Sequence, residues 1–218
     1  MNFNESWQRF SGSVSHLSVR DNASDSGTDA ALVERLAQLA SRFQNAEFAE
    51  RYLVLRQFGS LERARQWATS RHCLADVLES LLGRGAPPSE ILVSLSHTSD
   101  RSIALGTVRA ARVAGVGVDI EAVGREVSTG AEAKFTVVDE DLTFGALERW
   151  SAKEACLKAM PENQGMGLPD YRIYSADRVS GEGRARLIKA GGEFRFKLFR
   201  EAGSIVAVAI YSGSGDVE

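Results

Sequence analysis

Basic residues have no surplus in this chain. Lys and Arg number 26 against 29 Asp and Glu, a net charge of −3. Neither half is basic, so coating of nucleic acid or polybasic attachment to a membrane has no electrostatic basis. Lysine itself is scarce. There are five, Lys134, Lys153, Lys158, Lys189 and Lys197, and the first 133 residues use only Arg. No apolar run approaches the roughly 18 residues of a transmembrane helix, so none is expected. The opening MNFNESWQRF lacks a basic stretch and an apolar core, so a secretory signal is not expected either. The two cysteines, Cys73 and Cys156, stand in apolar helical patterns without CxxC or Cys/His spacing. They predict buried free thiols in a reducing cytoplasm, with a disulfide as the alternative. The histidines His16, His72 and His97 are scattered and no thiolate cluster joins them, which argues against zinc. No G-x-S-x-G elbow precedes a helix, and GVG at 115–117 lies in a strand pattern rather than a dinucleotide loop.

What is present is an ordinary globular composition, 44% apolar and 25% charged, able to bury a core. At 218 residues the chain is one domain or two small fused units. Residues 11–30 are rich in Ser, Asp, Asn and Gly and read as loop, with a short strand at Val14–Val19. Leu32, Leu36, Leu39, Phe43 and Phe48 predict one or two amphipathic helices over 30–57. A longer helix over 60–82 starts at the N-cap Ser60, shows the stripe Leu61, Ala64, Ala68, Ala75, Leu78 and Leu82, and stops at Gly83. GRGAPPSE reads as a turn, Ile91–Ser96 and Ile103–Gly106 as strands joined by HTSDRS, and Val113–Ile120 as a third strand. A second helix over Ala146–Met160, the turn GMGLPD and the strands YRIYS, GEFRFKLFR and SIVAVAIY complete the chain. Trp67-x5-Cys73-Leu74 is echoed by Trp150-x5-Cys156-Leu157, and both helices are followed by strands. The expected architecture is therefore a duplicated α+β unit in two lobes, with a ligand cleft between them.

Several residues carry chemistry. Asp119 and Glu121 end the apolar strand VGVDIE, and alternation sets both on one face. Two carboxylates on one rigid strand make a half-site for Mg²⁺. The alternative is one turn cap and one solvated acid. In the second helix the inward stripe is expected to be Leu147, Trp150, Glu154 and Leu157, which puts Glu154 on an apolar face. A buried acid needs a partner, a cation or a function. An ordinary surface pair with Lys158 at i+4 is the alternative, which fits a face shared with Trp150 and Leu157 poorly. Arg71 continues the stripe of the first helix and is a suitable bidentate phosphate ligand, or else a snorkelled or salt-bridged arginine. His97 sits among Ser94, Ser96, Thr98 and Ser99, a hydroxyl-rich group able to cradle phosphate or sugar, or else a satisfied histidine in a polar turn.

Taken in order, SLSHT (94–98), VGVDIE (116–121), WSAKEACLK (150–158) and GMGLPD (165–170) resemble the 4′-phosphopantetheinyl transferases. The likeness is to the longer, pseudo-dimeric class that activates peptide and polyketide synthases. That family's pattern reads S-x-S-H-S/T, [VI]-G-[VI]-D-x-E and W/F-S/C/T-x-K-E-x-x-x-K. RHCLADVL (71–78) looks like its first-lobe helix, whose arginine meets coenzyme A. The resemblance covers roughly residues 60–211, and residues 1–57 match nothing in it.

The resemblance implies an α+β phosphopantetheinyl transferase fold of two pseudo-duplicated lobes, 1–107 and 108–218, each a small, mostly antiparallel sheet on a long helix. It implies transfer of 4′-phosphopantetheine from coenzyme A to a serine of an acyl or peptidyl carrier protein, with release of adenosine 3′,5′-bisphosphate. Asp119, Glu121 and Glu154 would hold Mg²⁺. Glu154 would take the serine proton, and Lys158 would stabilise developing charge. Arg71, Ser96, His97 and Lys153 would bind coenzyme A. A cytoplasmic monomer that binds neither nucleic acid nor membrane is expected. Where the family commonly carries a Gly-Lys-Pro turn, this chain reads GRGAPPSE, and only Arg84 offers a cation there. The segment between Glu121 and Trp150, which in this class helps seat the carrier, is short. A non-catalytic relative that binds coenzyme A or a carrier protein is the second reading. A Mg²⁺-dependent phosphohydrolase on a similar acidic site is a weaker third.

Overall fold

Ser15 and Leu17 are buried while their neighbours Ser18 and Arg20 are not, and this period of two makes strand β1 (Ser15–Asp21). The computed structural model describes residues 10, 15–22, 30–43, 46–53, 59–160, 165–189, 191–201 and 203–213. The expected loop at 23–29 and the reading of residues 1–9 lie outside them. The chain divides into two units, Met1–Val108 and Arg109–Glu218.

In the first unit, α1 (Ala30–Ala40) buries Leu32, Leu36 and Leu39, and α2 (Ala46–Tyr52) adds Phe48, stacked on Phe43 at 4.5 Å. The long helix α3 (Leu61–Gly83) opens on Ser60, whose hydroxyl accepts the Arg63 N–H at 3.3 Å. It ends at Gly83 as expected, and the turn that closes it lies two residues further on. Gly85 takes the left-handed conformation at φ +83°, and Gly85 and Ala86 donate to the Leu82 and Leu81 carbonyls at 3.0 and 3.1 Å. That is a Schellman ending, which a residue without Cβ favours. From Trp67 to Leu82 this helix is buried on nearly every side, whereas Leu61, first in the expected stripe, is exposed. Strands β2 (Ile91–His97) and β3 (Arg101–Val108) follow, and the antiparallel order is β1-β3-β2. Helix α3 lies on this sheet at Gly106, where a Cβ would meet Val77 Cγ1 at 2.3 Å.

The second unit begins with β4 (Gly115–Ala122), which extends past the expected end at Ile120 and takes Asp119 and Glu121 inside the strand. Next come α4 (Thr129–Phe135) and α5 (Ala146–Ala159), then β5 (Tyr171–Ala176), β6 (Glu182–Leu187), β7 (Glu193–Glu201) and β8 (Ser204–Tyr211). The antiparallel order is β4-β8-β7-β6-β5. Strand β6 and helix α4 are absent from the sequence expectation. β6 looks polar because its inward residues include only Gly183, Ala185 and Leu187. The Phe196 ring fills the place of a side chain at Gly183, where a Cβ would lie 2.2 Å from it. α4 is short and lacks an apolar stripe. It starts where Ser128 Oγ accepts the Ala131 N–H at 3.2 Å.

Among the described residues the architecture is α+β with two antiparallel sheets. Cys73 and Cys156 are buried free thiols, one in each unit. No described helix is long and apolar enough to cross a membrane.

The stripe expected for α5 needs correction. Its buried positions include Ala152, Ala155, Cys156 and Ala159, while Leu147, Trp150, Glu154 and Leu157 are only half-buried. The helix lies so close to the sheet that small residues form the contact. A Cβ at Gly117 would sit 1.8 Å from the Ala155 carbonyl oxygen.

Candidate active site

β4 pairs with β8 so that Gly117 faces Ala209, Asp119 faces Ala207 and Glu121 faces Ile205. Partners across a pair share a face of the sheet. Ala207, Ala209 and Ile205 belong to the core beneath α5, so Asp119 and Glu121 lie on the helix side. Both are buried. Ser151 donates its hydroxyl to Asp119 Oδ2 at 2.9 Å, and Lys158 Nζ donates to Oδ1 at 2.7 Å. One carboxylate thus bridges two turns of α5. Glu154 stands between them on the same flank, three residues after Ser151 and four before Lys158.

The three acids feel one another. Burial pushes the Glu154 carboxyl above the usual range; Lys158 opposes this, and Asp119 and Glu121 add to it. Burial also raises Glu121, with Arg125 opposing and Asp119 adding. Arg125 forms an ion pair with Glu121, and its guanidinium lies 5.2 Å from the centre of the Trp150 ring. The expected Glu154–Lys158 neighbourhood is therefore real, but Lys158 gives its hydrogen bond to Asp119.

Among the described residues, no group of three or more His, Cys, Asp or Glu side chains is placed to hold a metal ion. Lys158 and Arg125 stand on the two strand carboxylates. The chemistry of the donors still fits a hard cation. They are carboxylate oxygens only, and the burial and added mutual repulsion that raise two of them are what a divalent ion offsets.

Lys153 departs from its expected place at a phosphate. Its ammonium and the Glu140 carboxylate are both 0% exposed and stand 2.7 Å apart. It also donates to the Phe135 carbonyl at 2.6 Å. Glu140 accepts in addition from the Val137 N–H at 3.1 Å and the Ile173 N–H at 3.4 Å. Lys153 thus ties α5 to the end of α4 and to β5. Glu140 gave no signal in the sequence, because nothing in TVVDEDLT marks which acid turns inward. Arg149 likewise holds α4, donating to the Phe144 carbonyl at 2.7 Å and pairing with Glu132.

In the first unit, Arg71 is buried and its guanidinium lies 5.1 Å from the centre of the Trp67 ring. Its neighbour Ser70 meets the Ser102 hydroxyl at 3.3 Å, and Ser102 is the strand partner of His97. Ser70, next to Arg71 on α3, thus touches the strand pair that carries His97. His97 is exposed there. Ser96 pairs with Ile103 and points to the opposite face, so Ser96 and His97 do not form a cradle on one side. Asn22 is a residue the sequence did not mark. It accepts from the Ser102 hydroxyl at 2.7 Å and donates to the Thr98 and Ser99 carbonyls at 3.0 Å, which pins the turn after His97. Arg84, the cation in the GRGAPPSE turn, donates to the Ser15 carbonyl at 3.3 Å.

No protein-family model matches this chain, and no curated protein matches it in sequence. Function must therefore be argued from the acids, the cations and the motif order.

Proposed function

We propose that this protein is a phosphopantetheinyl transferase of the two-lobed, pseudo-duplicated kind, moving 4′-phosphopantetheine from coenzyme A to a serine of an acyl or peptidyl carrier protein. The observation that carries the proposal is the gathering of Asp119, Glu121 and Glu154 on one side of the β4–α5 contact, with Lys158 on Asp119. The order of the SLSHT, VGVDIE and WSAKEACLK motifs supplies the reaction.

Asp119, Glu121 and Glu154 would hold Mg²⁺, and a cation bound there neutralises charge on phosphate oxygens and improves the leaving group. Glu154 is the base. Its carboxyl is raised by burial and by the two neighbouring acids, which brings its proton affinity nearer that needed at neutral pH. It takes the proton of the carrier serine as the serine oxygen attacks the β-phosphorus of coenzyme A, and the bond to the bridging oxygen breaks. Lys158, partly exposed, stabilises the charge that develops on the phosphoryl oxygens or on the departing adenosine 3′,5′-bisphosphate. Asp119 and Ser151 hold that ammonium and the helix flank in position. Arg71 and His97 would offer a guanidinium and an imidazole to a coenzyme A phosphate.

A second reading, a relative that binds coenzyme A or a carrier without transfer, is favoured by the burial of Lys153. One experiment separates the two. An apo carrier protein is incubated with this protein, coenzyme A and Mg²⁺ and then weighed by mass spectrometry. Gain of the phosphopantetheine mass, lost in Glu154→Gln, is expected. Retained coenzyme A binding with no mass gain on fatty-acid, polyketide and peptide carriers would establish the binding relative instead.

A further inference from the structure

An open cavity of about 500 Å³ lies within the second unit, between α4 and the Trp150 side of α5. Its size falls within the ~300–1,000 Å³ of small-ligand sites. Phe135, Trp150, Leu168 and Pro169 supply most of its apolar wall. The wall is braced from behind. The Phe135 carbonyl accepts from the buried Lys153, and Arg149 holds Glu132 on α4. Phe135 meets Trp150 edge-on, with ring centres 5.4 Å apart.

Lys134 is the one charged side chain in the lining. Lys134 is exposed and makes no ion pair among the described residues. Ser128 Oγ already accepts the Ala131 N–H at 3.2 Å, which leaves its proton to donate. No carboxylate lines the cavity. An apolar wall with one ammonium, one hydroxyl and no carboxylate suits an apolar molecule that ends in a single negative charge.

We propose that this cavity binds a small amphiphilic monoanion, an aliphatic or aromatic body ending in a carboxylate, with Lys134 at the anionic end and Phe135 and Trp150 against the body. The site is distinct from the Asp119–Glu121–Glu154 group and does not depend on the transfer reaction. It shares one side chain with that group, because Trp150 also carries the guanidinium that pairs with Glu121.

The test uses the full chain and decanoate, decanol and decyltrimethylammonium as probes, followed by calorimetry and by tryptophan emission. Saturable binding of decanoate is expected, at least about tenfold tighter than either of the others. Lys134→Glu should weaken decanoate about tenfold or more. Gly130→Leu should abolish binding by filling the cavity. Gly130 lines it and a Cβ there meets nothing within 4 Å, and leucine is the better helix former, so the fold is retained. Equal affinity for the three probes, an unchanged Lys134→Glu variant, or no saturable decanoate binding would each overturn the proposal.

Discussion

Replacing Lys153 by methionine separates two roles that the same residue could fill. Methionine keeps most of the stem and removes the ammonium. The Glu140 carboxylate then remains fully buried with only the Val137 and Ile173 N–H groups as donors, and the Phe135 carbonyl loses its 2.6 Å hydrogen bond. Removing one partner of a buried pair costs about 3–5 kcal/mol, because the remaining charge has lost its counter-ion but not its burial. Glu140→Gln should cost a similar amount, since it leaves the ammonium facing neutral oxygens. The double variant Lys153→Met/Glu140→Gln should cost clearly less than the sum of the two, with a coupling of roughly 1–3 kcal/mol. Urea unfolding followed by circular dichroism gives each value, with unchanged slope as the check on comparability. A loss of 3–5 kcal/mol lowers the midpoint by roughly 2 M. Suppose Lys153→Met unfolds within about 1 kcal/mol of the parent and instead loses coenzyme A affinity. Lys153 would then be a ligand contact, and its burial against Glu140 would not describe the working protein.

Three further outcomes follow from contacts in the two units. Asp76 accepts from Ser18, Arg20 and Arg35 at 2.9–3.2 Å; burial alone would raise its carboxyl, but these partners hold it below the ordinary range. A depressed carboxylate stabilises above its unfolded pKa and loses that contribution as pH falls through the folded value. Asp76→Asn should therefore cost about 1–3 kcal/mol at pH 7, and the gap in urea midpoint should close below about pH 4; a gap that stays constant would remove the charge from the explanation. Gly117→Ala should cost about 1–3 kcal/mol or more by driving α5 off β4, while Gly124→Ala, which meets nothing within 4 Å, should be neutral. Equal melting shifts for the two would refute the close helix approach. Glu154 is raised by burial and its acidic neighbours, so its ionisation opposes folding above the folded pKa and not below the ordinary one. Glu154→Gln should abolish transfer in the presence of Mg²⁺, yet in metal-free protein it should unfold at higher urea than the parent at pH 7, an advantage that fades near pH 4. Loss of stability at pH 7 would make the residue structural.

The long helices and most strands were legible because apolar runs of the right length stand between turn residues, as in α3, where Ala68, Ala75, Leu78 and Leu82 of the expected stripe are buried, and in β8, which is buried throughout. Asp119 and Glu121 were legible on one face because strand alternation fixes their directions, whereas Glu154 was assigned to an inward stripe that is only half-buried, and its grouping with them came from the resemblance. Three things were not legible. α4 has no apolar stripe, and its hold comes from Arg149 and Lys153 on another helix. β6 turns glycine and alanine inward, where a large ring from β7 supplies the bulk. Glu140 is one of several acids in a polar run, and only the tertiary fold gives it an ammonium.

The α5 stripe failed for a reason that also explains the site. Large apolar residues do not mark the buried face here: α5 meets β4 at Gly117, where a Cβ would lie 1.8 Å from the Ala155 carbonyl oxygen. Large side chains there would hold the helix farther from the strand. Small ones let the Ser151–Glu154–Lys158 flank come down on Asp119 and Glu121. The same closeness keeps Glu121 and Glu154 raised, because the acids share a dry, confined space. Glycine at 117 and alanine at 155 therefore set the spacing of the acids without being acids themselves. A substitution at either position should alter the titration of Glu154, read by carboxyl NMR, before it alters any binding contact, and unchanged titration in a folded Gly117→Ala variant would show that the acids are positioned by something else.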